Sequence, residues 1–425
     1  MSVTKEVYEE YIGILKEELV PALGCTEPIA VAYAAARARE LLDEFPDSVQ
    51  VECSGNIFKN VKCVVVPNTG NLTGMKAGAV IGVVGGDSAL GLQVLGHVTA
   101  EDIQKTQELI ATDFCKISLL DTPHTLHIIV TVTKGKNSAK VEVRDFHDHI
   151  VYEEKNGKVV TDRRKEVAAA TLTDRSCLNF ETIYEFAKEV SIADVKDMLD
   201  RQINYNVAIA EEGLKGTYGV HIGKTVLRYG EDNVFTKMRA YTTAASEARM
   251  SGCTKPVVTN SGSGNQGIAT SVPLIVYARE NDYGEIRLYR ALVFANLLTI
   301  YQKNYIGRLS AFCGAVSSTC ASMAGVGFLE EMEVAQIKMI IQNTLADDIG
   351  VVCDGAKPSC AAKILCGLDC AINAYFLAKD NVCYDAHSGI LKADIDDTIK
   401  AVGRMAACGM KDTDREILSI MMEDV

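Results

Sequence analysis

Tryptophan is absent from this chain, and aromatic residues make up only 6% of its 425 residues. A core without large rings has to close through small side chains, and the plentiful Ala and Gly predict closely packed helices. Basic charge is also scarce: 43 Lys and Arg face 56 Asp and Glu, a net charge of −13. That balance argues against nucleic acid and anionic membrane surfaces as partners. Fourteen cysteines are present, well below the roughly 8–10% of a disulfide scaffold. The opening Met1-Ser2-Val3-Thr4-Lys5-Glu6 is polar and lacks an apolar signal core. A cytoplasmic location with reduced thiols is therefore expected, the cysteines serving as small buried hydrophobes plus a few ligands. Leu309 to Leu329 carries no charge and is long enough to span a membrane. Its Gly, Ala, Ser, Thr and Cys content and the lack of a flanking basic cluster make it a buried core helix instead.

The length predicts two or three domains. Val7, Tyr11, Ile14 and Leu15 recur at helical spacing up to Pro21, and an Ala-rich helix is expected over Glu27 to Leu42. Strands are expected at Val49 to Cys53, Val61 to Val66, Leu126 to Val132, Ala139 to Arg144 and His149 to Glu153, the last before an Asn156-Gly157 turn. Helices are expected at Gly74 to Gly85 and Glu101 to Thr112. Beyond about residue 175 strand signals fade. Helices are then expected at Phe180 to Asp200, Ala208 to Glu212, Val234 to Arg249, Glu285 to Tyr305, Leu309 to Glu331, Glu333 to Ala346, Cys360 to Ala378 and Ile395 to Ala407. The fold class that follows is α+β. An α/β part over 1–175 has a mixed or antiparallel sheet, and an all-α part covers 176–425.

Four constellations carry chemistry. Cys313, Cys353 and Cys360 each sit among small residues, the last two flanking a Gly- and Pro-containing loop. Three thiolates can hold an iron–sulfur cluster and leave one iron open as a Lewis acid. Spacing alone leaves buried inert cysteine as the competing reading, with Cys320, Cys366 and Cys370 as rival ligands. Cys25 opens a helix in Gly24-Cys25-Thr26-Glu27-Pro28, where a helix dipole favours the thiolate and lowers the thiol pKa, unless Cys25 is a buried cap neighbour and Glu27 a plain first-turn acid. The loop Thr259 to Gly267 is rich in Gly, Ser, Asn and Gln and suits a carboxylate or phosphate, or is an ordinary Gly-rich turn. The turns at Ser54 to Asn60 and Pro67 to Gly70 place Lys59 and Asn68 at strand ends, where they can hold a small anion, Lys59 reading equally well as a solvated surface lysine. His147 and His149 read as a solvated strand face.

Taken together, these segments resemble the L-cysteine desulfidase family, related to the iron–sulfur L-serine dehydratases. The resemblance covers essentially the whole chain. It rests on Gly24-Cys25-Thr26-Glu27-Pro28, on Asn260-Ser261-Gly262-Ser263-Gly264-Asn265-Gln266-Gly267, and on the three cysteines. The chain lacks the dehydratases' Ser-Ser-His-Thr motif, and Gly24-Cys25-Thr26 takes an analogous place with Cys for His. The resemblance implies a 4Fe–4S cluster on Cys313, Cys353 and Cys360 in the 176–425 part, with the 1–175 part binding substrate. It implies conversion of L-cysteine to pyruvate, ammonia and hydrogen sulfide without pyridoxal phosphate. Cys25 is the candidate base, and Lys59, Asn68, Ser261, Ser263, Asn265 and Gln266 are candidates to hold a small amino-acid substrate. A homodimer is compatible with this reading. The alternatives are an L-serine dehydratase-type lyase on the same cluster, and a non-catalytic iron–sulfur or sulfur carrier.

Overall fold

The computed structural model describes residues 3–165 and 172–423. Its first elements are α1 (Lys5–Glu18), β1 (Pro21–Leu23), α2 (Thr26–Leu42), β2 (Ser48–Cys53), α3 (Gly55–Val61), α4 (Gly74–Gly85) and α5 (Ala100–Ile110). Five strands follow: β3 (Cys115–Leu119), β4 (His127–Lys134), β5 (Asn137–Arg144), β6 (Ile150–Lys155) and β7 (Lys158–Asp162). The remainder is helical apart from β8 (Pro256–Val258). Its first helices are α6 (Phe180–Glu189), α7 (Ile192–Lys215), α8 (Ile222–Tyr229), α9 (Val234–Met250), α10 (Gly264–Glu280) and α11 (Glu285–Ile306). The last are α12 (Gly314–Leu329), α13 (Val334–Asp347), α14 (Cys360–Lys379), α15 (Ile395–Arg404) and α16 (Lys411–Met422). The class is α+β, as the change of pattern near residue 175 predicts.

Six strands form a mixed sheet in the order β3-β2-β4-β5-β6-β7, with β2 and β3 parallel and the rest antiparallel. Alternation puts Val49, Val51, Ile128, Val130, Val141 and Val143 on one face, buried against α2 and α4. Those two helices touch through small residues: a Cβ on Gly82 would lie 2.3 Å from the Ala32 carbonyl oxygen. In the helical part, α12 is buried on nearly all sides among α10, α11, α13 and α14. This is the core helix expected of the uncharged stretch. Among the described residues α14 is the one helix long and apolar enough to cross a membrane; it packs against α9, α12 and α13. The N-terminal α1 joins the helical core, with Tyr11 edge-on to Phe186.

Several expectations are corrected. Val61 to Val66 is not a strand. It is the end of α3 and an irregular stretch with one bridge, Val65 to Thr73, because both edges of β2 are already taken by β3 and β4. The Ser54 to Asn60 turn is largely the helix α3. Phe180 to Asp200 breaks at Val190 and Ser191, and α7 then runs on through Ala208 to Glu212. The helix expected from Leu309 starts only at Gly314. Before it, Phe312 bridges Val352 in extended conformation.

Candidate active site

Two short backbone pairings assemble the site. β1 and β8 lie antiparallel, Pro21 opposite Val258 and Leu23 opposite Pro256. The residues after β8 run toward Val20, and α10 then packs back along β8, Gly267 against Val258 and Gly264 against Val257, which brings Ser263, Asn265 and Gln266 to the wall that Cys25 also lines. In the second pairing, Cys353 N–H donates to Ala311 O at 2.6 Å and Cys313 N–H donates to Val351 O at 3.0 Å. That clamps two cysteine loops together, and the chain returns through Cys360 at the first turn of α14. Cys25, Cys313, Cys353 and Cys360 all line one cavity of about 90 Å³, room for a few waters or a small solute. Ser263, Asn265, Gln266, Asn60, Arg249 and Lys303 complete much of its wall.

Four helix N-termini meet here. Cys25 caps α2, Ser263 caps α10, Cys313 caps α12 and Ser359 caps α14, and none of these side chains bonds its own helix's N–H groups. At α14 the first three N–H groups donate to the Lys357, Pro358 and Ser359 carbonyls, so what all four starts share is the helix dipole, which favours negative charge in the cavity. Glycines let the wall close: a Cβ on Gly314 would lie 2.9 Å from Lys303 Nζ and 3.0 Å from Gln266 Nε2.

Cys25 is buried, and its Sγ–H donates to Glu27 Oε2 at 2.9 Å. Thr26 and Asn60 also donate to the Glu27 carboxylate, at 3.1 and 2.9 Å. The expected lowering of the Cys25 pKa is overturned. Burial, then the Glu27 charge, push it well above the ordinary thiol value. A helix dipole supplies about 1 kcal/mol, less than desolvating a buried thiolate costs. Cys25 is therefore a protonated thiol bonded to a carboxylate. Burial alone would raise the Glu27 pKa, but His147, the Cys25 thiol and Arg249 outweigh it and hold the group ionised.

The three cysteines fit a cluster. Burial, with the charges of Cys353 and Cys360, pushes Cys313 up to about 12. Burial and the Cys353 charge also raise Cys360. Thiols set this close resist ionising together unless a metal neutralises them. Among the described residues no three His, Cys, Asp or Glu side chains are close enough to hold a single metal ion. Burial lowers neighbouring Lys303 to about 8, against the pull of Cys353 and Cys313.

The other candidates divide. Ser263, Asn265 and Gln266 line the cavity. Ser261 lines an adjoining pocket with Glu18 and Arg308, and its hydroxyl donates to Asn260 Oδ1 at 2.8 Å. Lys59 does not line the cavity: buried in α3, it pairs with Asp414 of α16 and donates to the Cys353 carbonyl at 3.2 Å. Asn68 donates to Leu95 O at 2.7 Å, in a turn whose Pro67 packs against Gly24. Among the rival ligands, Cys320 is enclosed in α12 and Cys366 is exposed; neither lines the cavity. His147 is not on a solvated strand face. It is buried in the turn between β5 and β6, and a Cβ on Gly262 would lie 3.4 Å from its ring. Arg249 and Lys303 carry no signal in the sequence, being single cations within long helices.

This cavity belongs to a chain that matches the serine dehydratase alpha chain family over residues 89–419, and the protein is a member of that family. Its serine dehydratases are associated with iron–sulfur clusters. The chain is 46% identical to a UPF0597 protein of Treponema denticola, over the whole of both chains. It is 47% identical to a UPF0597 protein of Lachnoclostridium phytofermentans, over 98% of this chain and 100% of that one. It is 44% identical to a UPF0597 protein of Desulfitobacterium hafniense, over 98% and 97%.

Proposed function

We propose that this protein is a cytoplasmic L-cysteine desulfidase, an iron–sulfur lyase that eliminates sulfide from L-cysteine to give pyruvate and ammonia. The observation that carries the reading is the meeting of Cys25 with Cys313, Cys353 and Cys360 in one small cavity where four helices start. Cys313, Cys353 and Cys360 are the residues that would hold a 4Fe–4S cluster. The chemistry such a cluster supplies is Lewis acidity at the iron without a protein ligand.

The chain's own groups handle protons and orientation. Cys25 acts as a relay with no free thiolate: the proton of the substrate α-carbon moves to Cys25 Sγ as the thiol proton moves to the ionised Glu27 Oε2. The carbon–sulfur bond then breaks, with its electron pair leaving on sulfur. The 2-aminoacrylate left behind hydrolyses in water to pyruvate and ammonia. Ser263, Asn265 and Gln266, at the start of α10, orient the substrate. Lys59 acts at one remove, fixing the Cys353 loop, and burial keeps bulk water off the reacting atoms.

The test is an anaerobic preparation assayed for iron and for sulfide and pyruvate release. Four irons per chain and turnover of L-cysteine at least about 100-fold more efficient than of L-serine are expected. The family match favours a second reading, dehydration of L-serine at the same site. Pyruvate from L-serine without sulfide from L-cysteine would select it.

A further inference from the structure

Arg249 is the anomaly of the cavity. It is 2% exposed, in the last turn of α9. Its guanidinium lies against the start of α10, where a Cβ on Gly264 would be 2.3 Å from Nε. Neither Nε nor Nη2 has a hydrogen-bond partner among the described residues. Burying a cation with free donors costs several kcal/mol unless an anion meets it. The Glu27 carboxylate, which already accepts from Cys25, Thr26 and Asn60, feels the Arg249 charge but accepts no hydrogen bond from Nε or Nη2.

Across the same cavity lie unpartnered acceptors. Gln266 Oε1 and Asn60 Oδ1 are buried without a donor. A wall with one forked cation short of acceptors and two amide oxygens short of donors is the complement of a zwitterion. A carboxylate can take both guanidinium hydrogen bonds in the fork geometry that only Arg offers. An ammonium can donate to the two amide oxygens. The uncapped N-termini of α2 and α10 add to the preference for the carboxylate end.

We infer that Arg249 is the anchor for the α-carboxylate of the substrate, with Gln266 and Asn60 receiving its α-ammonium, so that the site selects small free α-amino acids. This rests on the lyase reading for what happens to the ligand, but not for its binding. It excludes amines without a carboxylate, and amino acids held in peptide linkage.

The experiment is calorimetric titration of the anaerobic, cluster-loaded protein with three probes. L-Alanine is the zwitterion without a leaving group, 3-mercaptopropionate keeps thiol and carboxylate, and cysteamine keeps thiol and amine. Cysteamine is expected to bind at least about 100-fold more weakly than 3-mercaptopropionate, the worth of a charge-assisted forked contact. Arg249→Lys should weaken L-alanine and 3-mercaptopropionate by about 10- to 100-fold and leave cysteamine within about threefold. Equal binding of cysteamine and 3-mercaptopropionate to the unaltered protein overturns the proposal without any variant having to fold. So does the failure of both carboxylates to bind. An Arg249→Lys protein that loses iron but keeps its carboxylate affinity also overturns it, making the guanidinium a counter-ion to the cluster. If L-cysteine releases no sulfide yet L-alanine binds through Arg249, the desulfidase reading falls and the anchor stands.

Discussion

The sheet part and the helical part contribute to the cavity in opposite ways. The helical part supplies Cys313, Cys353, Cys360, Arg249 and Gln266, all at helix ends or in the loops between helices. The sheet itself supplies none of the lining. What the N-terminal portion offers is Cys25 and Glu27 at the start of α2, Asn60 in α3, and the propping Lys59. A sheet satisfies its backbone internally and buries one face. Helices leave four N–H groups free at each start, and here those starts are turned inward. The lesson is that binding capacity in this fold lies at helix termini, while the sheet fixes one wall in place.

The largest break in that comparison comes from the thiols. Cys353→Ala should abolish the broad visible absorption and iron content of an anaerobic preparation, and Cys313→Ala and Cys360→Ala should do the same. Cys320→Ala and Cys366→Ala should leave both intact. Cys25→Ser probes the opposite wall. It should keep the cluster spectrum and lower turnover by about 10²–10⁴-fold, the worth of a placed proton-transfer group. Near-normal sulfide release from that variant would remove Cys25 from the mechanism, and an altered spectrum would make it a ligand.

Lys59→Met tests the prop between the two parts. It leaves Asp414, half-buried, with Asn56 as its remaining donor and should lower stability by about 1–3 kcal/mol in urea unfolding. Gly82→Ala forces a Cβ against the Ala32 carbonyl on the sheet side. A cost of about 1–3 kcal/mol is expected, with the cluster spectrum unchanged if the sheet part only supports. The smallest effect is acidic. Burial alone would raise Asp354, but Lys357 and Lys363 outweigh it and hold it at about 2, below its ordinary 3.8. A depressed carboxylate stabilises above its unfolded pKa and loses that contribution as pH falls through the folded one. Asp354→Asn should therefore flatten the decline of stability between pH 3.8 and 2, read from melting curves of both proteins.

Much of this was legible in the sequence, for identifiable reasons. The strands β2, β4, β5 and β6 announce themselves because period-two alternation survives on a sheet with one buried face. The β3 strand, half exposed and short, does not. Cys25, Cys313, Cys353 and Cys360 stood out because Gly, Pro and small residues surround them. Lys59 stood out too, but as a surface anchor. Its burial depends on Asp414, a contact between helices far apart in the chain. Arg249 left no trace, since a helix-end arginine is unremarkable until burial removes its water. The direction of the Cys25 pKa was missed because a helix start is visible in sequence, whereas enclosure and the bond to Glu27 are tertiary.

The pairing of β1 with β8 has a consequence for the order in which the molecule is made. Three residues on each side join segments separated by the whole sheet and by helices α6 to α9. Closing so long a loop brings little enthalpy against a large entropic debt, so such contacts form late. Cys25 and the helical thiols are therefore strangers to one another through most of folding. The cavity with both its walls in place is a feature of the finished chain, closed only in the final act of assembly.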